Sequence, residues 1–208
     1  RDQLLVANRE RAKEFYEQLT AKPRDTPADE ALRGALGSGA YVWNAYDRNA
    51  AYNYAYNWWF RRNPAYADFS GGLGGDCTNF VSQCLRAGGG LNDGDSNPWY
   101  YYTSTNRTAS WTGVPYLWNY LVANSGSAYG PYGYSSSFYD LQVADIVQFR
   151  WASSGVFQHA MLINRIYYSL GWPANLYLTG HSGEYWDQPL TSFPYNSVRY
   201  LRIAGVYK

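Results

Sequence analysis

Segment 71–90, GGLGGDCTNFVSQCLRAGGG, restricts this chain more than any other. Glycines bracket it on both sides. Within it, Cys77, Phe80, Val81, Cys84 and Leu85 recur at i, i+3, i+4, i+7 and i+8, the spacing of one face of an α-helix. Asp76 suits the N-cap position, and Gly88-Gly89-Gly90 ends the periodic stretch. A short helix with one apolar stripe has to bury that stripe against other elements. The glycines before it let backbone adopt unusual dihedrals and approach closely.

The segments on either side of this helix differ in character. The last third reads as β: Asp145–Phe149, His159–Tyr168, Leu176–Gly180 and Val198–Tyr207 are short apolar or alternating runs separated by turns. The stretch 91–137 is rich in Asn, Ser, Thr, Gly and Tyr, with one apolar island, Val114–Val122, that predicts a short helix. Residues 41–62 predict a longer helix, with Arg48, Ala51, Tyr52, Ala55 and Trp59 on one face and Asn63-Pro64 as its stop. Residues 3–21 predict an amphipathic helix with Leu5, Asn8, Ala12, Phe15, Tyr16 and Leu19 on its stripe. Thr26 as N-cap and Pro27 at the first helical position open a second helix, 27–36. Gly34, Gly37 and Gly39 then mark a joint. The expected division is an N-terminal helical extension, 1–39, and a second domain, 40–208.

Bulk properties narrow the function. A formal net charge of +1 offers no field for nucleic acid or an anionic membrane surface. Arg61-Arg62 is expected to solvate a helix end. No apolar run is long enough to span a bilayer, so no integral membrane segment is expected. The chain starts at Arg1, which reads as a processed or truncated piece whose leader is missing. Aromatic residues make up 19% of the chain, with 23 Tyr and 9 Trp, residues that carry large apolar area and one polar handle. They are expected to pack the core, with a smaller share left for a surface that stacks on sugars or peptides. Cys77 and Cys84 lie seven residues apart, roughly 10 Å along a helix. A disulfide needs Cα atoms within about 7 Å, so the pair is expected to stay reduced. Two Cys and two His do not suffice for a structural zinc site. Asp93, Asp95 and Asn97 alternate as in a calcium loop, but Pro98 stands where its glycine belongs and no Glu closes it.

The chemistry gathers at Cys77. A thiol attacks as its thiolate, and the first turn of a helix presents unpaired N–H groups and the positive end of the dipole. That position is expected to lower the Cys77 pKa and to supply an oxyanion donor, its own N–H. Cys77 also fits the apolar stripe, so position alone leaves nucleophile and core residue both open. His159, at the start of HAMLI, is a candidate base. Folding the last third about Leu170-Gly171 sets His159 opposite His181 on an antiparallel neighbour, a geometry in which His181 orients His159. A slip of one residue would flip the faces, and Thr179, Ser182 and Glu184 are alternatives as the orienting group. Asp76 reads first as a helix cap. Asn79 and Gln83 read as partners of a neighbouring loop, with substrate contact as a second role. Trp99 and Trp111 are candidates to line a substrate groove. Arg48 and Asp47 read as a structural polar link.

The segment Tyr46–Gly89 resembles the putative amidase domain of bacterial proteins, a branch of the papain-like NlpC and CHAP superfamily. The matching pieces are YDR with a following A-Y-x-Y-A, then RNPAY, then GGDCTNFVSQCL-x-AGG. Trp99 and Trp111 resemble the family's tryptophan positions, LQVADIVQF its L-x-x-G-D strand, and HAMLI its histidine strand. The resemblance covers about 41–208, with Ala144 standing where glycine is expected. It implies an α+β, papain-like fold in which the Cys77 helix packs on a small antiparallel sheet carrying His159. It also implies Cys77 as nucleophile and His159 as base, acting on an amide or peptide bond, often in the bacterial cell wall. Such chemistry needs no metal or organic cofactor, and the expected protein is a secreted or cell-surface monomer with a peptide or peptidoglycan-like substrate. Two other functions stay open. One is a non-catalytic module that holds glycan or peptide; the other is a transglutaminase-like acyl transferase using the same Cys and His.

Overall fold

The computed structural model describes residues 41–70, 75–92, 98–126, 128–151 and 155–208. The two expected N-terminal helices, the boundary at 39, residues 71–74 and the Asp93–Asn97 stretch lie outside the described residues.

The described part is α+β. In chain order it runs β1 (Trp43–Asn44), α1 (Arg48–Trp58), α2 (Cys77–Gly89), α3 (Ala109–Thr112), α4 (Val114–Ala123), β2 (Gly130–Ser136), β3 (Ile146–Arg150), β4 (His159–Ser169), β5 (Trp172–Gly180), β6 (Tyr185–Pro189) and β7 (Ser197–Tyr207). These strands form one antiparallel sheet in the order β1-β7-β3-β4-β5-β6, with β2 also paired to β7. The helix expected over 41–62 is shorter. Trp43 and Asn44 instead pair with Tyr207 and Val206, and Asp47 caps α1 by accepting the Ala50 N–H at 2.9 Å. β2 is absent from the expectation because GPYGYSS has the composition of a turn. It gains strand character from its partner β7, not from its own propensity.

The α2 helix is the axis of the domain. Its apolar stripe, Phe80, Val81, Cys84 and Leu85, shares a core with Ile146, Ala160, Leu162, Leu201 and Ile203 of the sheet. Its polar face is buried too, and here the aromatic residues find their use. Ser82 Oγ donates to the Trp111 carbonyl at 2.9 Å and accepts from Trp99 Nε1 at 3.2 Å. Tyr54 OH donates to Gln83 Oε1 at 2.7 Å. The Arg86 guanidinium lies 4.2 Å over the Trp111 ring and donates to Tyr66 OH. Rings with a polar handle can cover a polar helix face without orphaning its groups. The helix ends in a Schellman turn: Leu91 N–H reaches the Arg86 carbonyl and Gly90 N–H that of Ala87, both at 3.1 Å, with Gly90 at φ +57°. A Cβ on Gly88 would come 2.3 Å from the Tyr46 ring.

Arg48 ties α1 to the sheet. It donates to the Val143 carbonyl at 2.8 Å, to Asp145 Oδ1 at 2.7 Å and to the Ile203 carbonyl at 2.7 Å. Its partner is therefore Asp145 and not Asp47, which is occupied as a cap. The fully buried Asp145 also accepts the N–H groups of Gln142 and Ile203. Ala144, in the turn before it, sits at φ +68°.

Candidate active site

Cys77 opens α2, and its side chain is 2% exposed. The Thr78 hydroxyl lies 3.8 Å from its sulfur, and the backbone of Thr78 and Ala160 borders it. Burial pushes the thiol above its ordinary pKa, against the pull of these neighbours, and the charge of Asp76 adds to the rise. This corrects the expectation of a lowered value. The helix end does supply donors, but the sulfur has lost its water, and that loss is the larger effect. Both Cys77 and Cys84 are free thiols.

His159 opens β4, opposite Phe149 on β3. Its ring stacks on Phe149 at 6.1 Å and borders Trp151 at 5.8 Å and Tyr185 at 6.5 Å. Side chains alternate along a strand. Ala160 and Leu162 belong to the α2-facing core, so the His159 ring lies on the other face. Burial lowers its pKa to about 4, so the ring is neutral near pH 7. Among the described residues the sulfur's hydrogen-bond partner is the Thr78 hydroxyl, and the His159 ring is not one.

His181 is not the partner of His159. β4 and β5 are antiparallel neighbours as expected, but Leu162 pairs with Thr179, one residue off the register that would set 159 against 181. The slip turns His181 to the α2 side, where its ring packs on Phe80 at 4.0 Å between centroids. Its Nδ1 meets Asp76 Oδ2 at 2.6 Å and its Nε2 meets the Trp58 carbonyl at 2.8 Å. Asp76 accepts from Asn79 Nδ2 at 2.7 Å and from Phe69 N–H at 3.2 Å, and it forms an ion pair with Arg62, whose Nε lies 3.0 Å away. Both ring nitrogens of His181 are engaged, one by Asp76 and one by the Trp58 carbonyl, and neither is left to orient His159. The alternatives are engaged as well. Thr179 Oγ1 donates to the Tyr185 carbonyl, Ser182 Oγ accepts the Asp76 N–H, and Glu184 pairs with Arg62.

The candidate substrate contacts Asp76, Asn79, Gln83, Trp99 and Trp111 are all buried, between 0% and 3% exposed. Asn79 Oδ1 accepts Trp111 Nε1 at 2.8 Å, and Asn79 Nδ2 donates to Asp76 and to the Ala67 carbonyl. These residues brace the start of α2 from within and do not line a groove. Arg62 is the site residue that sequence reasoning misses. Beside Arg61 it looks like a solvated helix end, yet it reaches Asp76, Glu184 and Asp68. Its place in the RNPAY piece is the signal that marks it. Among the described residues no three His, Cys, Asp or Glu side chains gather as a metal site would, and no helix is long and apolar enough to cross a membrane.

Residues 45–203 match the sequence model of a family described as "Putative amidase domain". The chain belongs to this family. The match takes in Cys77, Asp145, His159 and His181, so the amidase domain includes every candidate just described. The domain is also 30% identical over 167 residues to the uncharacterized protein YhbB of Bacillus subtilis (strain 168), covering 78% of this chain and 50% of that protein. The chain thus spans about half the length of that relative. No solved structure matches the chain. Family membership supports amide hydrolysis as the activity.

Proposed function

We propose that this amidase domain hydrolyses amide or peptide bonds through Cys77, by a thioester acyl-enzyme, with His159 as the base. The proposal extends to a papain-like arrangement of the NlpC and CHAP kind and to peptides of the bacterial cell wall met outside the cell. The observation that carries it is the setting of the sulfur, at the first turn of a buried helix with the Thr78 hydroxyl 3.8 Å away.

The step begins from neutral partners, since burial raises Cys77 and lowers His159. His159 takes the thiol proton as the sulfur attacks the carbonyl carbon. The oxyanion forms against the Cys77 N–H, which α2 leaves without a helical partner. Collapse breaks the C–N bond, and His159 returns the proton to the departing amine. Water then attacks the thioester with His159 again as base, releasing the acid and restoring the thiol. This requires the start of β4 to move in the substrate complex, since the His159 ring packs on Phe149 on the other face and a side-chain rotation alone does not cross the sheet. Catalytic contacts often tighten only in the substrate complex.

A muropeptide mixture tests this. Acid-quenched digestion followed by mass spectrometry should find an acyl adduct on the Cys77 peptide, discharged by hydroxylamine. Added amines that capture the acyl group in preference to water would assign acyl transfer instead. A second function is favoured by the 2% exposure of Cys77 and the outward ring of His159: a module that binds such peptides without cleaving them. Binding of the same muropeptides with neither adduct nor product would select it.

A further inference from the structure

The acidic N-caps of α1 and α2 behave differently. Asp47 does what the position ordinarily does and accepts the Ala50 N–H of α1. Asp76 holds the equivalent place before Cys77, but its side chain makes no capping bond to α2. It is drawn away. His181 and Arg62 both grip Oδ2, at 2.6 and 3.0 Å. Phe69 N–H and Asn79 Nδ2 hold Oδ1. Ser182, next to His181, receives the Asp76 N–H at 2.8 Å, so the β5–β6 turn holds this residue by both backbone and side chain.

We propose that His181, by a hydrogen bond, and Arg62, by its charge, form a clamp whose work is to hold the Asp76 carboxylate off the first turn of α2, keeping that turn open and electropositive around Cys77. His181 is then a positioning residue that acts through Asp76, and neither acid nor base. The proposal rests on Cys77 being the nucleophile, as argued above.

The alternative geometry shows why a clamp is needed. A carboxylate released to its ordinary capping place would accept the N–H of Thr78 or Asn79. The carboxylate would cover a first-turn N–H and set a negative charge beside both the developing thiolate and the oxyanion at the Cys77 N–H. The clamp needs a hydrogen-bond donor at position 181 and no ionisable proton. Gln can supply that donor to Asp76 Oδ2, and Ala cannot.

The test is carboxamidomethylation of Cys77 by iodoacetamide at fixed pH, read by peptide mass spectrometry, in the full chain and in its His181→Gln, His181→Ala and Arg62→Gln variants. The clamp predicts His181→Gln within about threefold of the parent rate, His181→Ala slowed about tenfold or more, and Arg62→Gln slowed between them. Where muropeptide turnover is measurable, kcat should follow the same order with KM little changed. Equal slowing in His181→Gln and His181→Ala would overturn the proposal, because an acid–base or ion-pairing role cannot be filled by Gln. If His181→Ala does not fold, His181→Gln decides alone, and its own failure to fold counts against the clamp, since one donor should suffice. Alkylation reads the thiol without turnover. A domain that cleaves nothing yet shows this order keeps the clamp and loses the catalytic role of Cys77.

Discussion

At the scale of single residues, Ala144 shows how opposing effects settle. Its φ of +68° costs an L residue about 1–2 kcal/mol. Replacing it with glycine relieves that strain but removes a fully buried methyl, worth about 0.8 kcal/mol, and adds freedom to the unfolded chain, worth about 0.4–1 kcal/mol. The terms nearly cancel, so Ala144→Gly should stay within about 0.5 kcal/mol of the parent in urea titration. Ala144→Val, branched where φ is positive, should lose at least about 2 kcal/mol by the same strain and crowding. His159 gives a pH prediction. Its folded pKa of about 4 lies below the ordinary 6.5, so between these values the unfolded chain binds more protons. Stability should therefore fall as pH drops from 6.5 toward 4, by on the order of 3 kcal/mol. His159→Asn should show a shallower fall in thermal midpoint over the same window. A His159 base predicts an acid limb of kcat/KM near pH 4.

At the scale of elements, much of the design is legible in the sequence. The period of Cys77, Phe80, Val81, Cys84 and Leu85 and the stop at Gly88–Gly90 define α2 within a residue. The four C-terminal runs appear as β3, β4, β5 and β7. What is not legible depends on partners. The hairpin centre near Leu170-Gly171 is right, but Ser169 pairs with Trp172 across it, a register one residue away from the one that sets His159 against His181, and the two later shifts in pairing cancel. A one-residue move exchanges faces, so His181 joins Asp76 instead of His159. Asn79 and Gln83 on the polar side of α2 read as partners of a neighbouring loop, and the structure buries that side under aromatic rings from distant segments. Trp111→Phe tests that covering. It keeps the ring and removes Nε1, leaving the Asn79 Oδ1 without its donor. The expected loss is about 1–3 kcal/mol in urea titration, the cost of a buried orphan.

At the scale of the whole domain, two short motifs far apart in sequence meet in one joint. Arg48 from the YDR piece and Asp145 from LQVADIVQF lie 97 residues apart and bond at 2.7 Å, with Val143 and Ile203 completing the set. Arg48→Ala should cost about 3–5 kcal/mol, because it strands a fully buried carboxylate. Arg48→Lys should rescue little, since one ammonium cannot repeat the fork to three acceptors. With this joint α1, β3 and β7 frame the helix that carries Cys77. Whether that helix serves catalysis is decided by amide-bond cleavage in muropeptides, measured for the parent protein and for Cys77→Ala with folding of both verified by circular dichroism. A Cys77 nucleophile predicts release of free amine by the parent and none above background by Cys77→Ala. Cleavage by Cys77→Ala at the parent rate would contradict it.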